Sequence, residues 1–423
     1  MKLIRYSNSA ILNLLIASII PFLIWGPFFP DLILSVSALF FLYYLLKNNK
    51  FYYFKKKPFI IFLIFCCIST LASLESDNIS LSIKSSLFYF RIGVFSCFIW
   101  YLIDRDKNIL IYFYYVLILC FSILVIDGYF QYFTGKNLSG IEIFQEANRI
   151  RISSFFGDEL IMGSYLSRLF PLLFALFLIK QKQKFEVYFM GLLFILVDVL
   201  IFLSGEKTAF FFLNLSTVFI IILIKDYQKF RLATFIVAII CIICLSLNSP
   251  SHSYRMFEAP AKSMGLLKSS KEATIFSKMH DSHYKTAFNM FKDKPILGHG
   301  PKMFRVKCKE KKYVVGMYPC STHPHNFYVQ LLAEVGILGF LFLFSALCYV
   351  AYKALKQFKS IIFKQKRSLT DYQVCLLAGI LITVWPFSPN GNFFNNWLMI
   401  TYSLPVGFYL ESIYSKKKKL HKM

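Results

Sequence analysis

The chain has 423 residues, of which 57% are hydrophobic, 19% aromatic and only 16% charged. A water-soluble protein of this length carries more charge and shorter apolar runs, so a soluble globular domain is excluded and an all-α polytopic membrane protein is expected. The formal net charge of +25 has no separate soluble basic domain to sit on. That excludes nucleic acid as its reason and leaves anionic lipid headgroups and an anionic substrate.

Lys2 and Arg5 precede a first apolar run, Asn8 to Trp25, that lacks a small-residue cleavage site. It leads through Gly26-Pro27 into another run and reads as an uncleaved helix. Further spans are expected at about 31–46, 59–74, 86–103 and 109–130, then 160–179, 187–203, 209–224 and 232–247. A long polar loop covers 248–325, with spans at 326–349, 373–387 and 393–411 after it. The expected division is nine helices in 1–247, the loop in 248–325, three helices in 326–412 and a basic tail in 413–423. About twelve spans put both termini on one side. The basic short loops at 47–57, 180–184, 225–231 and 353–367 fall on that side with the tail, so the positive-inside rule makes it cytoplasmic. The long loop then faces outward, with the shorter loops at 75–85, 131–158, 204–208 and 388–392.

Eight of the ten cysteines lie in apolar runs and read as small packing residues, including the Cys241–Cys244 pair. Cys308 and Cys320 differ. They flank eleven residues of the outward loop, where paired cysteines commonly join, and a disulfide is expected.

His323-Pro324-His325-Asn326 stands where the long loop ends and a hydrophobic helix begins. Pro324 restricts His323 to an extended conformation. The imidazoles are thereby placed at the mouth of a span, at the positive end of a helix, where an anionic substrate is favoured. His325 is the expected general base, with His323 second. Asn326 is expected to orient the ring or bind a hydroxyl. The plainer reading, that both rings only snorkel at the interface, accounts less well for two of them beside Asn326 and the Gly336/Gly339 pair.

Arg91 and Arg168 lie inside spans, near their outward ends, and charges in a span are costly and usually paired or functional. With Arg151 and Lys207 they are expected to converge on a diphosphate, and Asp198 is a candidate partner for one of them. In the loop, Tyr284, Ala287, Phe288 and Phe291 recur at helical spacing. They predict an amphipathic helix over the site, with His283 and Lys285 on its wet face as supporting candidates.

These segments carry a resemblance. His325-Asn326, nine residues and then Gly336-Ile337-Leu338-Gly339 resembles the signature of the O-antigen ligase/polymerase superfamily. Pro295-Ile296-Leu297-Gly298-His299-Gly300 through Phe304 resembles its approach to the histidine. Arg151-Ile152-Ser153-Ser154-Phe155-Phe156-Gly157 and Ser204-Gly205-Glu206-Lys207-Thr208-Ala209 resemble two upstream segments. Lys207 stands where an arginine is usual, His283 where many members carry an arginine, and Phe340-Leu341 where the ligase pattern often has two threonines. The resemblance implies a metal-independent glycosyltransferase of the GT-C-like type, without a cofactor. It would move a glycan from an undecaprenyl diphosphate carrier to lipid A–core in the manner of a ligase, or to another carrier-linked unit in the manner of a polymerase. It also implies the bacterial inner membrane, with a periplasmic site. A lipid-linked sugar flippase is the rival of another class. It would place its polar groups at the bilayer midplane rather than at one end.

Overall fold

The computed structural model describes residues 2–146, 149–180, 182–264, 266, 274 and 277–415. The basic tail from 416 onward lies outside them, so its expected placement has no structural counterpart here. The chain is helical nearly throughout. The first run is broken at Ser18 into α1 (Lys2–Ala17) and α2 (Ile19–Trp25). Then come α3 (Phe28–Lys47), α4 (Lys57–Leu74), α5 (Ile79–Ser86), α6 (Phe90–Arg105) and α7 (Ile109–Thr134). A two-stranded antiparallel hairpin follows, β1 (Phe144–Glu146) with β2 (Arg149–Arg151), Phe144 opposite Arg151. Next are α8 (Met162–Ile179), α9 (Lys184–Leu203), α10 (Lys207–Leu223) and α11 (Gln228–Asn248).

The long loop contains α12 (Pro250–Ser253), a π-helical turn at Tyr254–Glu258, α13 (Ala259–Ser263), α14 (Lys278–Asp293) and α15 (Phe304–Lys307). Helices α16 (Phe327–Ile362), α17 (Asp371–Val384) and α18 (Asn396–Tyr414) complete the fold. Among the described residues, eight helical stretches are long and apolar enough to cross a membrane, and three shorter apolar helices accompany them. The large apolar residues left exposed, such as Leu39 and Phe40 on α3, Leu119 and Ile126 on α7, and Ile240 and Ile243 on α11, form the lipid-facing surface of a membrane-embedded bundle.

Helix α8 is the axis of the bundle. It packs against α7, α9, α10, α17 and α18, and 83% of its most apolar stretch is buried against 22% for the peripheral α11. Connections sort by contact to two ends. At one end Tyr52 donates to the Tyr414 carbonyl, Lys182 lies over Tyr227, and Asp371 accepts from the backbone of Lys225. At the other, Lys294 donates to the Glu75 carbonyl, Lys307 pairs with Asp77, and Arg255 donates to Gly205. The long loop, the hairpin and the turns at 204–206 and 385–395 share this second end.

Several expected boundaries move. The run expected at 86–103 is preceded by a separate short helix, α5, capped by Asn78. Helix α16 continues well past Tyr349, so Lys353, Lys356 and Lys359 ride on helix rather than loop. It is also kinked at Gly336, where φ is 67° and ψ is −162°. The short segment Phe327–Val335 therefore runs separately from the long part that follows. The loop helix α14 forms, but with a different buried face from the one its spacing predicts. His283, Thr286, Ala287 and Met290 are buried, while Phe288 is 48% exposed. Small polar residues are covered here because the segment 308–320 lies along that face. Val315 donates to Thr286, Asn289 donates to the Tyr313 carbonyl, and Tyr313 donates to Asp293. Cys308 and Cys320 close this segment as a disulfide, with their Cα atoms 5.2 Å apart.

Candidate active site

The kink in α16 is a joint between two of the sequence motifs. It frees carbonyls that a straight helix would use, and buried carbonyls need partners. The loop before α15 supplies them. His299 donates to Ala333 at 3.0 Å and Gly300 to Glu334 at 2.8 Å, while Ile337 donates to the Pro295 carbonyl at 2.8 Å. A Cβ on Gly298 would stand 2.6 Å from the Val335 nitrogen, and one on Gly336 would strike the Ile296 carbonyl. Both glycines have positive φ, 69° and 67°. Glycine is required twice over, for conformation and for backbone contact. The Glu334 side chain completes the joint by accepting from the Phe304 backbone at 3.0 Å and from Gln330 at 2.9 Å.

The joint fixes the mouth of α16. Asn326 is its N-cap. Its Oδ1 accepts from Tyr328 and Val329, and its Nδ2 donates to the carbonyls of Pro386 and Ser388. All four of its hydrogen-bonding positions are used. Asn326 therefore ties the helix mouth to the turn after α17 and is not in the cleft lining.

His325 has a φ of +59°, uncommon for a residue with a Cβ. Its Nε2 lies 3.2 Å from Ser321 Oγ, and no described residue partners Nδ1. The His323 ring stands 4.2 Å from it, centroid to centroid. Both nitrogens of His323 are engaged, Nδ1 with Thr322 Oγ1 at 2.9 Å and Nε2 with the Asn390 carbonyl at 3.3 Å. Helix α14 brings two more imidazoles. His283 stacks on His325 at 5.4 Å and His280 meets it edge-on at 5.5 Å. Burial pushes all four down, His325 to about 3, His323 and His280 to about 4, and His283 in the same direction. The rings also depress one another, since a proton on one disfavours a proton on the next. The cluster is neutral at neutral pH.

His323 and His325 face a cleft of about 880 Å³. Among the described residues, its other walls carry Arg151, Arg168, Lys207 and Arg255 against a single carboxylate, Glu206. Four positive charges and one negative leave a net of three positive on the described part of the lining. Glu206 is occupied structurally. It caps α8, accepting from Gly163 at 2.6 Å and Ser164 at 3.0 Å. Gly163 permits this approach, because a Cβ there would stand 2.6 Å from Ser204 Oγ. Burial pushes the Glu206 carboxyl up, opposed by Arg151 and these hydrogen bonds.

Arg168 rises from α8 between two rings, 5.0 Å from Phe212 and 4.9 Å from Tyr402. It is 4% exposed, and its Nε and Nη1 are buried with no hydrogen-bond partner among the described residues. Arg151 follows from the hairpin. Its Nη2 donates to the Leu160 carbonyl at 2.6 Å, its Nε is unpartnered, and burial lowers its pKa. The segment after it is clamped from α7. Gln131 accepts from the backbones of Ser153 and Ser154, and Asp127 from the Ser154 hydroxyl. Arg255 donates from Nε to Gly205 at 2.8 Å. Gly205, at φ +68°, leaves room for Arg255 on one side and the Ile150 carbonyl on the other.

The cleft thus gathers His323, His325, Arg151, Arg168 and Lys207, five of the residues expected from sequence. It does not gather Arg91, which pairs with Asp31 at 2.8 Å and Ser35 at 2.5 Å. Asp198 is not a partner of a cleft arginine. It forms a buried pair with Arg231 at 2.8 Å, supported by Thr217 and Thr234. Arg231, expected in a loop, is fully buried inside α11. Lys285 points to solvent and pairs with Asp281. Arg255, His280 and Asn390 were missed. Asn390 sits in an ordinary Pro-Asn-Gly turn, and Arg255 is one basic residue among many in the loop, so no local pattern marks either. His280 was discoverable, since it lies one helical turn before His283. Among the described residues, no group of three or more His, Cys, Asp or Glu side chains is arranged to hold a metal ion.

Residues 189–344 match the family model described as O-antigen ligase. The match runs from α9 through the kink of α16 and so includes Lys207, Arg255 and both cleft histidines. No curated protein sequence matches the chain significantly.

Proposed function

We propose, from the membership of this chain in the O-antigen ligase/polymerase superfamily through residues 189–344, that it transfers a glycan from undecaprenyl diphosphate to an acceptor hydroxyl in the cleft, as an O-antigen ligase does to lipid A–core. The observation that carries this reading is that four cationic side chains and a pair of neutral histidines line one cleft. Arg168 supports it most strongly. A buried guanidinium with unpaired nitrogens is costly unless a ligand completes it, and a diphosphate is the complement. In this reading Arg151, Arg168, Lys207 and Arg255 hold the diphosphate and Asn326 positions the histidine segment. Arg91, paired with Asp31, lies outside this set.

The step balances as a displacement. The acceptor hydroxyl oxygen attacks the anomeric carbon. The bond from that carbon to the phosphate oxygen breaks, and the pair of electrons leaves with the diphosphate. The hydroxyl proton passes to Nδ1 of His325, whose Nε2–H donates to Ser321 Oγ. The low proton affinity of His325 in the unliganded cleft rises when the diphosphate brings negative charge beside it. Neither a metal nor a cofactor takes part. The chain would sit in the bacterial inner membrane with both termini cytoplasmic in a twelve-span topology, the cleft opening to the periplasm. A polymerase would use the same donor site and base.

The test is deletion of the gene in its own host, with the lipopolysaccharide separated on a gel beside wild type. Loss of long glycan from lipid A–core, with polymerised carrier-linked glycan accumulating, is expected. Core bearing a single repeat unit would assign the chain as a polymerase instead. An unchanged pattern would remove lipopolysaccharide from the account.

A further inference from the structure

Asn390 lies in the cleft wall beside the two histidines. Its main chain is fully engaged there. Its N–H donates to the His325 carbonyl at 2.8 Å, and its carbonyl accepts from His323 at 3.3 Å. Its side chain is not. Asn390 is 5% exposed, and Nδ2 and Oδ1 are both buried with no hydrogen-bond partner among the described residues. The turn needs only the backbone of this residue. An apolar side chain would meet that need without stranding a donor and an acceptor, so the carboxamide itself calls for a partner.

The chemistry of that partner is restricted. A phosphate offers acceptors only and leaves Oδ1 unpaired. A polyprenyl chain offers nothing. Neighbouring hydroxyls on a sugar ring offer both, one oxygen accepting from Nδ2–H while the next hydroxyl donates to Oδ1. We infer that Asn390 is the sugar-recognising residue of the cleft and takes a pair of adjacent ring hydroxyls. This rests on reading the cleft as a site for a glycan on a lipid diphosphate. The work is then divided across the cleft. The cations hold the diphosphate, Asn390 holds the sugar, and His325, bonded through its carbonyl to Asn390, is kept beside the hydroxyls. The sugar belongs either to the donor, next to its diphosphate, or to the end of the acceptor.

The test uses the full-length protein in lipid nanodiscs. Wild type, N390A and the isosteric N390D are titrated with bare undecaprenyl diphosphate and with the carrier-linked glycan extracted from the host. Thermal midpoints check that each variant is folded. Wild type is expected to bind the glycan-bearing lipid more tightly than the bare one. If Asn390 reads the donor sugar, both variants lose about tenfold of that preference while N390A keeps its affinity for the bare lipid. If it reads the acceptor sugar, the preference stays and KM for the acceptor rises about tenfold. Either result supports the inference. Equal weakening toward both lipids by N390A, or no change in donor preference and acceptor KM, overturns it. Failure of wild type to bind bare undecaprenyl diphosphate is a different failure. It removes the diphosphate reading of the cleft and this inference with it.

Discussion

The main-chain N–H of Asn390 donates to the carbonyl oxygen of His325 at 2.8 Å. The bond joins the turn after α17 to the mouth of α16 and ties down a residue in the sparsely populated left-handed region, with φ +59°. The proposed base is positioned by main chain, from a stretch some sixty residues further along.

The joint behind His325 is expected to be intolerant of any side chain. G336A and G298A each place a Cβ into backbone and impose a positive φ on alanine. The conformational part alone costs about 1–3 kcal/mol, and the collision adds to it. Gly26 is the control. It has φ +129° but nothing within 4 Å of an added Cβ. Thermal unfolding in detergent should show G336A and G298A well below G26A.

Much of this joint was legible in the sequence. The two glycine motifs and the His-Pro-His-Asn stretch stood out, and the structure shows the glycine motifs packed on each other. What could not be read was the third party. Asn390 holds the histidines through its backbone, and backbone hydrogen bonding leaves no trace in residue identity. The helical runs were legible because their apolar length is set by the bilayer. The buried face of α14 was not, because it depends on the disulfide-closed segment above it. Arg91 and Asp198 show the same limit. A charge inside a span announces a partner but does not say which, and here Asp31 took the first and Arg231, expected in a loop, the second.

The histidine cluster sets a pH dependence. Each ring has a folded pKa below its ordinary value near 6.5. Between that value and about 4, the unfolded chain binds protons that the folded chain refuses, so stability falls as pH falls. The contribution is present above about pH 6.5 and is lost on acidification through this window. Thermal midpoints measured from pH 7.5 to 4.5 should drop, and the drop should shrink in H280F/H283F. An identical slope in that variant would contradict the assignment.

Arg168 is expected to resist conservative exchange. R168A should weaken donor binding, and R168K should recover little. Lysine keeps the charge but loses the planar group that lies between Phe212 and Tyr402 and the paired donors that match a diphosphate. The loss is expected to be about ten- to a hundredfold in affinity for undecaprenyl diphosphate, the range of a charge-assisted hydrogen bond.

The Asp198–Arg231 pair predicts an asymmetry. D198A strands a buried guanidinium and should cost about 3–5 kcal/mol, whereas replacing both residues together with Leu and Met should cost less. Unfolding of the single and double variants in detergent separates the two. A double variant as unstable as the single one would mean that the pair is not the unit.

The most direct test is glycan transfer in proteoliposomes, following release of undecaprenyl diphosphate from the carrier-linked glycan with lipid A–core as acceptor. H325A should still bind the donor but release the carrier about 10²–10⁴-fold more slowly than wild type, the usual contribution of a positioned general base. Release at the wild-type rate by H325A would contradict the account, because the residue around which the cleft is built would then have no part in the chemistry.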